Sequence, residues 1–399
     1  VARIDEHTDV STASGAKPQE LSLVAPASQE APAGRLRVGW VAGRTTAERF
    51  GRALQPLAIG LMDELVEILA LCPEGADIQE LPSPPVETIS FGRMRRWGFF
   101  ADTGAVMALA GELRHRKVQL LHALDAEAWP LASQLARLAG LHCIVNSTHL
   151  DDWKILGRLG DSVGKVLAAS ESIRQALLAH RVAPERRIEL VRPGVYQVRK
   201  PTCFFDPSLY VSVVAGGPMQ DYAPFEAVIR SFAELRRGGR DAVFFLMGNG
   251  RAEKRLRALG EVLGVRTELT FVDRQPPRLL PEIFKAADLY VAPIPDRSID
   301  MPCLLAMAAG VPVLAAGQGA SDFLIDGQTA LGFAPRSAPD LTAKLTALLD
   351  DHAQATALAD RALAHLRAHH SPAGAVAAVT RIYRQVAALP TPSPALQTP

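Results

Sequence analysis

Residues 242–265 read AVFFLMGNGRAEKRLRALGEVLGV, and their pattern decides the fold. The apolar run Ala242 to Met247 has the length of a strand covered on both faces. Gly248-Asn249-Gly250 breaks the run, and a helix-period stretch starts near Arg251. Outward from this unit the same alternation recurs at YVSVVAGG (210–217), ELTFV (268–272), DLYVAPIP (288–295) and VPVLAAG (311–317), with helical stretches between them. The first half shows it too, at RLRVGWVAG (35–43), VQLLHAL (118–124), HCIVNST (142–148), KVLAAS (165–170) and IELVRPGV (188–195). Leu54 to Leu71 reads as one amphipathic helix. Alternating strands and helices predict parallel sheets covered on both faces. Two such series predict two doubly wound, Rossmann-like domains, with ligand in the cleft beyond the carboxyl ends of their strands.

The length of 399 residues suits two domains. We place a disordered segment at 1–34, a first domain at 35–196, a linker at 197–207, a second domain at 208–370, a closing helix at 371–388 and a disordered tail at 389–399. Forty-three Lys and Arg against 42 Asp and Glu leave a net charge of +1, so no global field recruits nucleic acid. The four cysteines have neither pairing nor metal-ligand spacing and read as buried thiols in a reducing cytoplasm. Residues 1–34 lack the apolar segment of a secretory signal, and Asp63, Glu64 and Glu67 interrupt the most apolar helical stretch. A cytoplasmic protein without a membrane span is the expectation.

Three loops carry chemistry. Gly217, Gly248 and Gly250 let backbone approach a ligand, and a helix start at Arg251 favours an anion. In IPDRSIDMPCLLAMAAGVPVLAAG (294–317), Asp300 caps a helix whose first turn holds Met301 and Pro302. Free N–H groups at 300–303 would then seat a diphosphate. The third, GASDFLIDGQTALGF (319–333), carries Asp322. FGRMRRWGFF (91–100) mixes arginine with aromatic residues and is a candidate for peripheral membrane contact or a lipid-linked acceptor.

RSFAELRRGG, FFLMGNGRAEKRLRALGEVLGV, LPEIFKAADLYVAPIP, LLAMAAGVPVLAAG and FLIDGQTALGF, in this order and spacing, resemble glycosyltransferase family four, the large retaining GT-B group. Looser likeness in VQLLHALDAEAWPLASQLARLAGLHCIVNSTH, LAASESIRQALL and IELVRPGV extends the resemblance to most of 35–388. It implies a GT-B architecture, a nucleotide-sugar donor, a glycan or lipid-linked acceptor, no cofactor and no metal. It also implies a final helix, HHSPAGAVAAVTRIYRQVAAL, that crosses back onto the first domain. His149 takes the place of a histidine facing the donor sugar, with His122 and Asp125 at a similar strand edge.

Several positions depart from the family pattern. Arg297 and Leu305 stand where it has two glutamates, and Pro218 and Ala223 stand where an Arg and a Lys neutralise the diphosphate. Asp322 is a shortened glutamate, and only Gly51 and Arg52, within ERFGRAL (48–54), are reminiscent of the Gly-Gly loop on the acceptor side. Leu305 cannot accept a hydrogen bond from a ribose. Arg297 suits a phosphate, with Arg251 and Arg274 as partners in a rearranged clamp around Asn249 and the helix start. Two readings follow: a sugar transferase with a rearranged donor site, or a catalytically inactive GT-B protein that binds or scaffolds.

Overall fold

The computed structural model describes residues 34–76, 86–92, 103–159, 163–204, 210–390 and 392. Two parallel sheets organise them, built from the runs read above together with strands at 66–73, 87–91 and 331–332 that the sequence reading does not mark.

In the first lobe the strands are β1 (Leu36–Val41), β2 (Val66–Pro73), β3 (Glu87–Phe91), β4 (Leu120–Ala123), β5 (His142–Ser147), β6 (Lys165–Ala168) and β7 (Ile188–Leu190), in the spatial order β3-β2-β1-β4-β5-β6-β7. Between them run α1 (Thr46–Asp63), α2 (Thr103–His115), α3 (Trp129–Ala139), α4 (Trp153–Leu159) and α5 (Glu171–Ala179). The second lobe orders its strands β10-β9-β8-β11-β12-β13, from β8 (Val211–Gly216), β9 (Ala242–Met247), β10 (Leu269–Val272), β11 (Leu289–Ala292), β12 (Val313–Ala315) and β13 (Leu331–Gly332). Its helices are α6 (Tyr222–Arg237), α7 (Glu253–Val262), α8 (Leu280–Lys285), α9 (Met301–Ala308), α10 (Ala338–Asp350) and α11 (His352–His369). α12 (Pro372–Ala387) follows, packing on α1 of the first lobe.

Every pairing within both sheets is parallel. The strand order reverses between β1 and β4 in one lobe and between β8 and β11 in the other. Such reversal points open a crevice at the carboxyl ends of the strands. This is the predicted doubly wound pair.

One expectation fails in the first lobe. The stretch Leu54 to Leu71 is not a single helix, because α1 stops at Asp63 and β2 begins at Val66. Leu65 adopts φ 61, a left-handed conformation that ends the helix, and Val66 to Cys72 alternates too little to be half-exposed. Its residues are buried almost throughout, so the helical spacing was incidental to a strand covered on both faces.

The first-lobe core does not stop at its own sheet. One apolar cluster joins Val38, Trp40, Leu121 and Ile144 to Ile299, Met301 and the α9 residues Cys303 to Ala308, and also takes in Val379, Ile382 and Tyr383 of α12. A second cluster, around Phe225, Phe232 and Phe244, fills the other side of the second sheet. The four cysteines are free and buried. Among the described residues no helix is long and apolar enough to cross a membrane. Residues 93–100, which hold all three arginines of the aromatic–basic stretch, lie outside the described residues, as do residues 205–209 at the end of the linker.

Candidate functional site

The carboxyl ends of the two sheets meet through a short antiparallel bridge between His149 and Ser298. Leu150 N–H donates to Arg297 O at 2.8 Å, and Ile299 N–H donates to Thr148 O at 2.9 Å. Asp152 sets this loop. Its carboxylate accepts from Ser147 Oγ, Thr148 N and His149 N at 2.8 to 2.9 Å, a side-chain cap over the end of β5. Burial pushes its carboxyl up, opposed by those same donors.

His149 follows β5 and keeps 38% of its side chain exposed. Its Nδ1 accepts from Asp151 N–H at 2.9 Å, so the neutral ring carries its proton on Nε2. Arg297 Nε donates to Asp151 Oδ2 at 2.8 Å. The Arg297 guanidinium, helped by Lys154, holds the Asp151 carboxyl far below the usual carboxylate range. Arg49, on α1, donates to Ser298 Oγ at 2.7 Å, and Arg274 pairs with Glu48 at 3.2 Å. On the other flank Asp322 accepts from Glu171 N–H and pairs with Arg192 at 2.7 Å. Ser170 Oγ donates to Ala320 O at 2.6 Å. Arg297, Arg274 and Asp322 thus all reach across the lobes. Arg251 instead stays within its own lobe, its Nε on Gln220 O.

The start of α9 differs from expectation. Its N–H groups are not free: Cys303 N–H donates to Asp300 Oδ1, Asp300 N–H to Ser321 Oγ, and Met301 N–H to Ile299 O. Pro302 has no N–H to offer. The carboxylate that caps the helix sits where an anion would otherwise bind. Burial, and the nearby charge of Asp296, lift Asp300 to about 6. Leu305 is buried, 4% exposed, within the core.

The glycine loops also have an internal reason. A Cβ on Gly248 would run into Gly217 O, and one on Gly250 into the backbone of Met219. The close approach that these glycines permit is therefore between the 217–220 and 248–250 loops. Asn249 Oδ1 accepts from Arg274 N–H at 2.6 Å and ties both to the β10 end.

Two first-lobe expectations are corrected. Gly51 and Arg52 lie inside α1, not in a loop, because the turn after β1 is at 42–45, ahead of Thr46. The loop glycine is Gly43, packed on the carboxylates of Asp125 and Glu127. Asp125 is 7% exposed, shares a hydrogen bond with Thr46 Oγ1 and caps Ala128 N, so it fastens this turn. His122 is fully buried, and both ring nitrogens are spent. Trp40 Nε1–H donates to Tyr383 OH at 2.9 Å, and His122 Nδ1 lies 2.5 Å from the same hydroxyl. His122 Nε2 lies 2.9 Å from Asn146 Oδ1, a pure acceptor. The directions follow: Nε2 carries the proton, and Nδ1 accepts from Tyr383 OH. Burial lowers His122 to about 4, which keeps it neutral.

Sequence reasoning missed Arg49, Glu48, Asp151, Asp152, Arg192 and Ser298. Asp151 and Asp152 stand directly after His149 in HLDDW, and Arg192 stands in VRPGV; those strand-end positions were the available signal.

Residues 211–351 match the family model described as Glycosyl transferases group 1. The fold is GT-B, and the match to the group 1 glycosyltransferase model lies in its second lobe. Among curated relatives of this GT-B chain, a D-inositol 3-phosphate glycosyltransferase of Nocardia farcinica is 34% identical over 157 residues, covering 37% of this chain and 35% of the relative. An alpha-D-kanosaminyltransferase of Streptomyces kanamyceticus is 27% identical over 179 residues, 45% of each. The chain thus spans less than half the length of these two relatives. An Anabaena HepE structure in complex with UDP and glucose superposes with a TM-score of 0.70 at 13% identity, covering 89% of this chain and 100% of that one. A glycosyltransferase of Rickettsia africae superposes at 0.71 with 14% identity, over 90% and 100% of the two chains. These likenesses establish the fold.

Proposed function

We propose that this chain transfers a glycosyl group from a nucleoside diphosphate sugar to a hydroxyl-bearing acceptor. The observation that carries the reading is the set of arginines brought from both lobes to the joined sheet edges, Arg49, Arg274 and Arg297. Each is held by a partner that keeps some exposure or by one hydroxyl. Exposed ion pairs exchange partners at small cost. A diphosphate entering between the lobes would take these guanidinium groups in place of Asp151, Glu48 and Ser298. Fixed positive donors at a leaving diphosphate lower the barrier to sugar transfer, and each is worth on the order of 3 kcal/mol. His149 would offer Nε2–H to a donor-sugar hydroxyl. The likeness to a D-inositol 3-phosphate glycosyltransferase and to an alpha-D-kanosaminyltransferase favours sugar transfer of this general kind.

Melting curves with UDP, GDP and ADP and their sugars test the donor. At a hundred times Kd a nucleotide adds about 2.7 kcal/mol and raises Tm. Arg297→Ala should then weaken binding about tenfold, the worth of a charge-assisted bond. Asp151→Asn, which frees Arg297, should tighten it.

A second reading, a GT-B binding or scaffolding protein without catalysis, is favoured by the α9 start, whose amides are already taken by Asp300, Ser321 and Ile299. Under that reading no nucleotide shifts Tm, and Asp151→Asn changes nothing but local charge.

A further inference from the structure

Most histidines among the described residues are already committed. His122 holds Tyr383 and Asn146, His142 holds Pro390 O, His149 accepts from Asp151 N–H, and His370 holds Pro193 O. His180 stacks on Trp153, and His352 stacks on Phe204. His365 and His369 differ. They stand four residues apart on α11, with ring centroids 4.6 Å apart and planes tilted by 50°. Among the described residues neither ring has a hydrogen-bond or ion-pair partner. We propose that this pair chelates a divalent transition-metal ion of the Zn²⁺ and Ni²⁺ class at the last turn of α11, with water completing its shell. This goes beyond the transferase reading and does not depend on it.

Geometry comes first. Side chains four residues apart share one face of a helix, and two histidines at this spacing are a recurrent zinc-binding pair. Two ligands on a tetrahedral ion with bonds of about 2.0–2.1 Å lie about 3.3 Å apart. Rings whose centres are 4.6 Å apart can bring one nitrogen each to that separation by side-chain rotation, with the helix backbone left in place. His369 is exposed and His365 half-buried, so an ion reaches them from solvent. The surrounding charge permits it. α11 runs for 18 residues, and the negative pole at its carboxyl end favours a cation. Arg361 and Arg367 of the same helix are engaged by Gln328 O and Arg199 O. Arg192 and Asp322, themselves an ion pair, act on His365 with opposite signs.

Ligand chemistry narrows the ion. Imidazole suits zinc, nickel and copper, whereas Mg²⁺ and Ca²⁺ take oxygen ligands. Among the described residues no three His, Cys, Asp or Glu side chains converge for a metal, so this ion would keep water on its open positions. Its place in the fold gives it an effect. His370, the next residue, accepts from Val195 N–H at 3.0 Å and from Gln197 Nε2 at 3.1 Å, and Arg367 Nη2 donates to Arg199 O at 2.7 Å. The last turn of α11 is thus fastened to the segment that joins the lobes, and α12 starts two residues beyond it. An ion held there stiffens the crossing.

Calorimetry and melting curves on the full-length, chelator-washed chain test this with zinc, nickel and magnesium chlorides and no nucleotide. Zn²⁺ and Ni²⁺ should bind and raise Tm, and Mg²⁺ should do neither. Outer partners of metal ligands alone are worth about 10–100-fold in affinity, so His365→Gln and His369→Gln should each weaken Zn²⁺ binding at least about tenfold. His369 is exposed, so its variant should keep the metal-free Tm, which separates a lost ligand from a lost fold. His115→Gln, exposed at the end of α2, should bind Zn²⁺ as the parent does. The proposal is overturned by no binding of either transition metal, by binding unchanged in both α11 variants, by Mg²⁺ matching Zn²⁺, or by an equal loss in His115→Gln, which would mean an adventitious ion only.

Discussion

Two polar systems in this molecule look alike in a contact diagram and differ in kind. The chain Trp40–Tyr383–His122 is buried and ends on the half-buried Asn146, and each proton in it has one direction. The cross-lobe pairs Arg297–Asp151 and Arg274–Glu48 keep substantial exposure, with the arginines at 59% and 62%. Removing a member of the first system strands partners that water cannot reach. Removing a member of the second lets water take its place. The contrast separates what builds the first lobe from what a ligand can displace. It also explains why His122, so placed in the sequence as to look functional, belongs to the architecture.

The sharpest way to break this contrast is Tyr383→Phe. It deprives Trp40 Nε1 and His122 Nδ1 of their shared partner, two buried groups at about 1–3 kcal/mol each. Chemical denaturation should show a loss on the order of 4 kcal/mol. An unchanged midpoint would mean that the buried chain is no more specific than the surface pairs.

Acid offers the next test. Burial holds folded His122 and His370 at about 4, below the 6.5 of an exposed ring. Their neutral forms favour the fold fully above pH 6.5. That contribution drains away as pH falls toward 4, because the unfolded chain then binds more protons. Each ring accounts for about 3 kcal/mol over this interval. Urea midpoints measured at pH 7, 5.5 and 4 should fall in that order, and His370→Gln should flatten the slope.

Asp300 works in the opposite sense. It keeps its proton to about 6 when folded, against 3.8 for an ordinary aspartate. Between those values the unfolded chain binds fewer protons, so this residue's effect on stability worsens as pH rises and stays unfavourable above 6. Asp300→Asn retains a capping oxygen for Cys303 N–H without the charge. It should raise stability at pH 8 by about 1–3 kcal/mol and change little at pH 4. A loss at pH 8 would show the carboxylate to be a favourable internal anion for α9.

The smallest effects should come from the exposed pairs. Arg297→Ala and Glu48→Gln should leave the melting temperature of the free chain where it was. A clear fall in Tm would move these pairs from the exchangeable class to the structural one.

Much of the fold was legible because a strand covered on both faces has a continuous apolar signature, as AVFFLM and DLYVAP have. Val66 to Pro73 escaped because VEILALCP also fits a helical stripe, and only the left-handed Leu65 separates it from α1. The site was legible by position but not by partner. The family resemblance points to Arg297, and the resemblance with a strand end points to His149, yet Asp151 and Ser298 emerge only once partners 146 and 249 residues away in sequence are brought to them. Asp300 reads as a cap, which it is; that its carboxylate takes the Cys303 N–H of the expected anion seat requires the direction of a side chain, which no spacing encodes.

α12 has a consequence for how the molecule comes into being. Tyr383 completes the hydrogen bonds of Trp40 and His122, and Val379 and Ile382 close the first-lobe core. Gly194, at the end of that lobe, packs directly on Pro372. A ribosome making this chain therefore releases the first lobe unfinished. It must wait through the synthesis of the entire second lobe before its last wall arrives, so the lobe made first is the lobe completed last.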